Sequence, residues 1–500
     1  MNYLMGIDLG TSSVKVLIMD DSGKIAGMGK ANYGIRIPKI GYAEQDPAEW
    51  WECTKAAICE ALKESMVAPG KILGIGFSGQ MHGMVALDGA GNPVCPAIIH
   101  LDQRSAEERT EIIEAAKDLM EKELLNQPGS GMLICTLLWV KKNQPEIYQK
   151  IANVMLPKDY IRYRLTGKIE CEYTDASSTL AFSVKKNNWC FELIDRLDLK
   201  KSIWPQIRAP FEIVGTVSDT AAADAGLSSA TKVVAGGGDS AMALLGNGIV
   251  REGIMACNIG TASQVAAVVK KPLFDRQMRC QTWRHPSPET WYVQGGTLNG
   301  GNTISWLRNK VLTTDKSFSE LDREVDDIPA GSEGLIFIPF LAGERTPFMD
   351  PQAKGVYFGL GMKHDYRQIF RATMEGVAYN LCECKKVFSE MGITSSKLVF
   401  SGGGAKSNVW TQIIADVLNV PIYTTESDEE ACMGAAITAA VGTGCYGTIE
   451  EACDTIIHLN NEPVMPVPEN VDIYLKQQMI FKELYFKVRN IFPELQNEIR

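Results

Sequence analysis

The chain repeats one short motif half its length apart. Residues 5–13 read MGIDLGTSS and residues 255–263 read MACNIGTAS, so each copy has an apolar run, an acid or its amide, and then Gly-Thr-x-Ser. A second apolar run follows each copy, so each motif predicts a strand, a tight turn and another strand. Turns of Gly, Thr and Ser expose backbone N–H groups and hydroxyls together, which suits a polyphosphate ligand. The repeat predicts two related lobes that hold one nucleotide between them.

Length and charge indicate how many domains the chain has and which partners it is not expected to bind. At 500 residues the chain exceeds what one hydrophobic core usually supports, and the repeat favours two domains. Helical spacing at 47–65 and 365–390 alternates with strand-like runs, so we predict an α/β fold with domains at residues 1–246 and 247–500. The net charge of -10 argues against a nucleic-acid partner. With no signal peptide and no apolar run of about 18 residues, we expect a cytoplasmic protein without a membrane anchor.

Asp8 stands just before the first turn, where the second copy has Asn258. Only the first copy therefore keeps a carboxylate, and a carboxylate beside phosphates suits Mg²⁺ held through water. Asp8 is the predicted metal ligand. The alternative is that Asp8 only accepts hydrogen bonds from its own turn.

Asp239 follows three glycines at the end of the apolar segment VVAGGGD, residues 233–239. Glycines there allow a ligand or another backbone to come close, and an Asp at a strand-to-helix corner can cap the helix. Capping alone would explain the residue. A carboxylate in that position is also a candidate general base, which accepts the proton of a hydroxyl that attacks a γ-phosphorus.

Two polar segments are candidates for sugar recognition. FSGQMHGMV at 77–85 places Gln80 and His82 directly after a predicted strand, and HLDQRS at 100–105 adds Asp102, Gln103 and Arg104. Amides, carboxylates and imidazoles are the groups that pair with adjacent hydroxyls. Taken singly, a residue of this kind is more often part of a solvated loop than of a binding site.

Two common nucleotide motifs do not fit this chain. Residues 74–79 satisfy G-x-G-x-x-G, but another strand-like run follows them instead of the helix that a dinucleotide site requires. The sequence G-x-x-x-x-G-K-[ST] does not occur. Any phosphate site is therefore of a different type.

Longer segments resemble the FGGY carbohydrate kinase family, and its xylulokinase-like branch in particular. The matching segments are GIDLGTSSVK (6–15), FSGQMHG (77–83), MLPKDYIRYRLTG (155–167), GGGDSA (236–241), NIGTAS (258–263), FLAGERTPFMDPQAKGVYFGL (340–360) and SGGGAKSNVWTQIIADVL (401–418). The resemblance implies an actin-like fold of two ribonuclease-H-like domains, with ATP and a sugar in the central cleft. It further implies that ATP and Mg²⁺ serve to phosphorylate D-xylulose or a related ketose.

The resemblance also implies roles for particular residues. Asp239 would be the catalytic base, and Met81, His82 and Asp102 would contact the sugar. The contacts to ATP would come from Thr11, Ser12, Ser13, Lys15, Gly260, Thr261, Gly301, Ser305, Gly404 and Asn408. A homodimer is a further expectation from the family.

One segment departs from the family pattern. Xylulokinases usually carry Trp-Asn-Asp or a similar triplet where this chain has His100-Leu101-Asp102. A polar group replaced by Leu leaves a substrate hydroxyl unpaired at a cost of about 1–3 kcal/mol, enough to change the preferred sugar. A kinase for ribulose, gluconate or glycerol therefore stays an alternative. An actin-like ATPase that acts on protein partners and a nicotinamide-dependent dehydrogenase are the alternatives from other classes.

Overall fold

The computed structural model describes residues 2–460 and 462–497. In the first half the strands are β1 (Tyr3–Leu9), β2 (Ser13–Asp20), β3 (Ile25–Asn32), β4 (Glu44–Gln45), β5 (Ile72–Gly79), β6 (Val85–Leu87), β7 (Ala97–Ile98), β8 (Asn153–Met155), β9 (Glu170–Glu172), β10 (Phe182–Ser183), β11 (Asn188–Trp189), β12 (Gln206–Arg208), β13 (Ile213–Thr216), β14 (Lys232–Val234) and β15 (Gly237–Gly238). In the second half they are β16 (Gly253–Ile259), β17 (Ser263–Val269), β18 (Gln281–Arg284), β19 (Trp291–Gly296), β20 (Ile336–Ile338), β21 (Val356–Phe358), β22 (Ser395–Ser401) and β23 (Ile422–Tyr423).

The helices alternate with these strands. Those of the first half are α1 (Pro47–Ser65), α2 (Ala106–Leu119), α3 (Leu133–Asn143), α4 (Pro145–Lys150), α5 (Pro157–Thr166), α6 (Tyr173–Ala176), α7 (Phe191–Arg196), α8 (Asp219–Ala225) and α9 (Asp239–Gly246). Those of the second half are α10 (Gly301–Trp306), α11 (Phe318–Val325), α12 (Tyr366–Glu390), α13 (Asn408–Leu418), α14 (Glu430–Thr443), α15 (Ile449–Ile456), α16 (Pro468–Val488) and α17 (Phe492–Asn497). In the described residues, no helix is both long and apolar enough to cross a lipid bilayer.

Local chemistry explains why the two longest predicted helices form where they do. The Asp46 side chain accepts a hydrogen bond from the N–H of Ala48, and Pro47 occupies the first turn of α1. At the start of α12, Asp365 and Gln368 form a reciprocal capping box. Both helices agree with the spacing read from the sequence.

The two copies of the motif lie in two sheets of the same topology. In the first sheet the central order is β14-β5-β1-β2-β3, with β5 and β14 parallel to β1 and with β2 and β3 in an antiparallel meander. In the second sheet the order β23-β22-β16-β17-β19 repeats this arrangement, directions included. The predicted duplication of the fold is confirmed by this common topology.

One helix of the second half packs on the first sheet. Helix α14 lies against β1 and β5 and also contacts α9. A Cβ added at Gly76 would lie 1.9 Å from the carbonyl oxygen of Ala435, so only glycine allows this approach. Gly434 on α14 in turn lies close to the Met242 backbone of α9. The two halves are therefore joined by close helix-to-sheet and helix-to-helix contact, and the domain boundary at residues 246 and 247 stays a prediction.

Candidate active site

Asp8 lies in β1, one residue before that strand ends. The Ser78 hydroxyl on β5 donates a 2.7 Å hydrogen bond to one Asp8 oxygen, and the carboxylate is partly exposed. The second sheet repeats the contact, since the Asn258 amide donates to the Ser401 hydroxyl at 3.0 Å. Burial raises the pKa of Asp8, and the hydrogen bond from Ser78 opposes that shift. Only the first sheet presents a carboxylate here, as the sequence predicted.

Asp239 lies close to Asp8 because of the pairing of β15. Gly237 of β15 is in register with Ser78 of β5, which is in register with Asp8 of β1. The backbones of Gly237 and Asp8 are thus about two strand spacings, or about 10 Å, apart. Asp239 begins α9 directly after β15 and accepts a 2.6 Å hydrogen bond from the N–H of Ser240. Burial and then the charge of Asp8 raise the pKa of Asp239 to about 7.

The first turn meets a loop of the second half. Thr11, Ser12 and Ser13 form the turn after β1, but the Lys15 ammonium is already paired with Glu429 at 2.7 Å. The neighbouring Asp428 pairs with Lys406 at 2.7 Å. These two ion pairs show that the loop before α14 runs between the first turn and the glycine-rich turn at 401–407.

The glycine-rich turn borders a cavity of about 730 Å³. Five residues predicted from the sequence to contact ATP line this cavity together: Gly260, Thr261, Gly301, Ser305 and Gly404. The predicted Asn408 follows the lining residue Ser407 as the first residue of α13.

Other residues that line this cavity were not predicted from the sequence. The apolar side chains of Ile304, Phe318, Met374 and Trp410 line it, together with the half-buried carboxylate of Asp322. Trp410 lies within the quoted segment 401–418, but apolar residues at these positions are also typical of ordinary amphipathic helices, so no separate role could be predicted for them from the sequence.

Met81 and His82 lie beside Asp239. A Cβ on Gly238 would lie 2.9 Å from the Met81 side chain, which therefore packs on the residue before Asp239. His82 has a φ of 74°, an uncommon backbone conformation for a residue with a side chain. Its ring lies 5.9 Å from that of Trp283, on the second lobe. The predicted pair of sugar contacts is thus at the junction of the two lobes.

The protonation of His82 follows from its contacts. Its Nδ1 lies 2.8 Å from the carbonyl oxygen of Ser178, which can only accept a hydrogen bond. Burial lowers the pKa of His82, and the charge of Arg345 contributes to the lowering. The neutral ring therefore donates from Nδ1 and keeps Nε2 as an acceptor.

Asp102, which was expected to contact the sugar, is not accessible in the structure. The side chain is fully buried, and its oxygens accept hydrogen bonds from the Ala43 N–H and from Arg104. Arg104 also pairs with Glu44 at 2.6 Å. A direct contact between Asp102 and a sugar would require these partners to rearrange, and this contact stays a prediction.

Two residues near His82 had no assigned role. Burial, the nearby His82 and Arg345 lower the pKa of His100 to about 4, and the buried Nδ1 of His100 has no hydrogen-bond partner. Arg345 is exposed, and in the part of the chain that the structure describes its guanidinium has no ion-pair partner. In the sequence, Arg345 was noticed only as part of the GERTP segment. Its neighbours in the sequence do not indicate that it lies near His82.

The glycines at 74–79 are not a nucleotide-binding loop. They lie within β5, and a Cβ at Gly74 or Gly76 would meet α14. The match to G-x-G-x-x-G reflects helix-to-sheet packing.

Asp8 and Asp239 thus lie near each other in the first half, and the loop before α14 forms ion pairs both with Lys15 and with Lys406 beside the cavity of the second half. Comparisons with known proteins decide the family. Residues 3–246 match the N-terminal domain, and residues 255–443 the C-terminal domain, of the FGGY family of carbohydrate kinases. The chain belongs to this family. It is an ATP-dependent carbohydrate kinase, so the predicted enzyme class is confirmed, and the dehydrogenase and the non-enzymatic ATPase are excluded.

Individual relatives support the same assignment. The chain is 33% identical to the xylulose kinase of Bacillus subtilis over 497 residues, which is 99% of each chain. A crystal structure of a xyloylose kinase from Brucella ovis has 29% identity and a TM-score of 0.91, covering 98% of this chain and 100% of that one. A gluconate kinase from Lactobacillus acidophilus has 25% identity and also a TM-score of 0.91, covering 99% of each chain. The predicted two-domain fold is confirmed by these structures.

Proposed function

We propose that this kinase transfers the γ-phosphoryl group of ATP to a hydroxyl of D-xylulose or a closely related ketose, with Asp239 as general base. The observation that carries the proposal is the setting of Asp239. Asp239 is a half-buried residue at the start of α9, the preceding Gly238 packs on Met81, and the strand before it lies two strands away from Asp8. A carboxyl with a pKa of about 7 is matched to proton transfer near neutral pH.

The proposed chemistry needs one proton transfer. The acceptor hydroxyl attacks the γ-phosphorus, its proton passes to the Asp239 carboxylate, and the bond from the γ-phosphorus to the bridging oxygen breaks to release ADP. His82 Nε2 accepts a hydrogen bond from another sugar hydroxyl and fixes the orientation of the acceptor. The cavity beside Gly260 and Gly404 receives the nucleoside.

Asp8 fits the ligand requirements of Mg²⁺. It offers a partly exposed carboxylate, and in residues 2–460 and 462–497 no group of three or more His, Cys, Asp or Glu side chains could enclose a metal. Mg²⁺ usually keeps several waters and binds through one or two carboxylates plus substrate phosphates, which suits this arrangement. When bound, the ion neutralises negative charge on the phosphates.

A sugar panel tests the acceptor. D-xylulose, D-ribulose, D-gluconate and glycerol are each supplied with ATP and Mg²⁺, and ADP release is followed by a coupled assay. We expect the highest kcat/KM for D-xylulose, as the names of the relatives at about 33% identity suggest. A higher kcat/KM for gluconate or glycerol than for either ketose would refute the ketose assignment.

A sugar acid is the second candidate, and Arg345 favours it. An exposed guanidinium without an ion-pair partner near His82 and His100 is suited to a carboxylate, which Arg binds with two parallel hydrogen bonds. The gluconate kinase of similar fold supports this alternative. If gluconate is a substrate, Arg345→Gln raises the KM for gluconate more than the KM for glycerol.

A further inference from the structure

A cluster of five ionisable side chains is buried in the first half, where α5 meets the end of β9 and the start of α6. The charge cluster consists of Lys158, Asp159, Arg162, Glu172 and Asp175, and none of the five side chains is accessible to solvent. The Lys158 ammonium lies 2.7 Å from Asp159, 3.2 Å from Glu172 and 3.2 Å from Asp175. Part of this cluster comes from the LPKDY segment, to which the proposed mechanism gives no role.

Stability is a poor explanation for such a cluster. Taking charges out of water is costly, and apolar side chains of similar volume often stabilise a protein as well or better. Burial and the neighbouring Glu172 raise the pKa of Asp175 to about 8 in spite of the opposing charge of Lys158. What the cluster does provide is a set of short, directional contacts in a fixed geometry.

One branch of these contacts leads to His82. Asp175 accepts a hydrogen bond from the Ser178 hydroxyl at 3.1 Å. The same hydroxyl oxygen accepts from the backbone N–H of His82 at 3.2 Å, and the Ser178 carbonyl accepts from His82 Nδ1 at 2.8 Å. Both the backbone and the ring of His82 are therefore held by Ser178. Because His82 has a strained φ of 74°, it depends on such contacts to keep its orientation.

A second branch leads to Asp239. Glu172 caps α6 by accepting the N–H groups of Thr174 and Asp175 at 2.6 and 2.8 Å. The Thr174 hydroxyl oxygen then accepts the N–H of Gly238 at 3.1 Å, one residue before Asp239. The start of α6 thus holds the backbone that carries the proposed base.

The two branches lead to His82 and to the residue before Asp239, the two residues with proposed roles at the acceptor. We propose that Thr174 and Ser178, fixed by the buried charge cluster, are positioning residues that set the separation of His82 and Asp239 for the acceptor hydroxyls. The inference rests on the proposed roles of His82 and Asp239. It assigns a function to a segment to which the proposed mechanism gives no contact with ATP or sugar.

Two small substitutions separate positioning from stability. Thr174→Val keeps the shape of the side chain and removes the hydroxyl, and Ser178→Ala cuts the link between Asp175 and the His82 backbone. Each is expected to lower kcat/KM for the acceptor by about 10- to 100-fold, the scale of a small misplacement of reacting groups, while the KM for ATP stays within about twofold. Thr174→Ser keeps the hydroxyl and should restore kcat/KM.

Thr54→Val is the matched control. Thr54 is also fully buried, but among the described residues its hydroxyl bonds only to the Trp50 carbonyl within α1. The inference is overturned if Thr174→Val and Thr54→Val have the same kinetics at equal melting temperature, or if the KM for ATP rises as much as the acceptor KM. If Thr174→Val does not fold, Ser178→Ala and its effect on the acceptor KM decide the question.

The acceptor in these assays is whichever sugar the unmodified enzyme phosphorylates best. An acceptor that is not a ketose would therefore refute the proposed function and leave this test intact.

Discussion

Replacing Asp239 by Asn should stabilise the protein while it destroys activity, and the gain should depend on pH. The folded pKa of this carboxyl is about 7, above its ordinary value of 3.8. Ionisation is therefore penalised in the folded state, and the penalty accumulates as the pH rises from about 4 to about 7 and is complete above that. Asn stays neutral and keeps an oxygen to accept the Ser240 N–H, so it avoids the penalty.

The size of the effect follows from the two pKa values. The two pKa values differ by about 3, so ionisation of Asp239 lowers the free energy of unfolding by about 4 kcal/mol at pH 8. At pH 5 the same two pKa values give a loss of less than about 2 kcal/mol. For a chain of this size, about 4 kcal/mol raises the melting temperature by about 4–8 °C, depending on whether both halves unfold together. The assay is thermal unfolding without nucleotide or metal at pH 5 and pH 8, beside a turnover assay in which kcat falls by at least about 100-fold.

Asp20→Asn is a control in which the melting temperature should change in the opposite direction. Hydrogen bonds from Ser22 and Lys24 oppose burial and lower the pKa of Asp20, so its charge contributes stability above the unfolded pKa. Asp20→Asn should lower the melting temperature more at pH 8 than at pH 4. If Asp239→Asn does not raise the melting temperature at pH 8, or raises it equally at pH 5 and pH 8, an ionisation penalty at Asp239 is refuted.

Three further substitutions probe other parts of the site. Asp8→Asn removes the carboxylate proposed for Mg²⁺, so half-maximal activity should need at least about tenfold more Mg²⁺, and an unchanged Mg²⁺ titration would contradict the assignment. Gly76→Ala places a Cβ against the Ala435 carbonyl and should lower the free energy of unfolding, measured in urea, by about 1–3 kcal/mol. Gly34→Ala, where a Cβ would meet nothing within 4 Å, should have little effect, and equal losses would argue against the packing explanation. Ser305→Phe fills the cavity and should raise the KM for ATP while the KM for the sugar is unchanged, and an unchanged KM for ATP would exclude the cavity as its site.

Much of the candidate site could be predicted from short segments. The turns at 10–13 and 260–263, Asp8 before the first, and Asp239 after its glycines were each recognisable because glycine and strand patterns act over a few residues. Gly260, Thr261, Gly301, Ser305 and Gly404 do line one cavity. Asp102 had a plausible side chain for sugar recognition, yet it is fully buried and bonded to Arg104 and to the distant Ala43, and no local pattern predicts a contact over 59 residues.

The sequence by itself determined the duplication, the strand-turn-strand units and the class of chemistry, because these depend on residue type and short spacing. Only the tertiary structure decided which groups meet. It paired Lys15 with Glu429, which is 414 residues away, and placed α14 of the second half on the first sheet. It also set the strand before Asp239 two strands from Asp8 and brought Arg345 near His82. Such contacts depend on the shapes and close packing of whole elements, and a short stretch of sequence contains only one side of each of them.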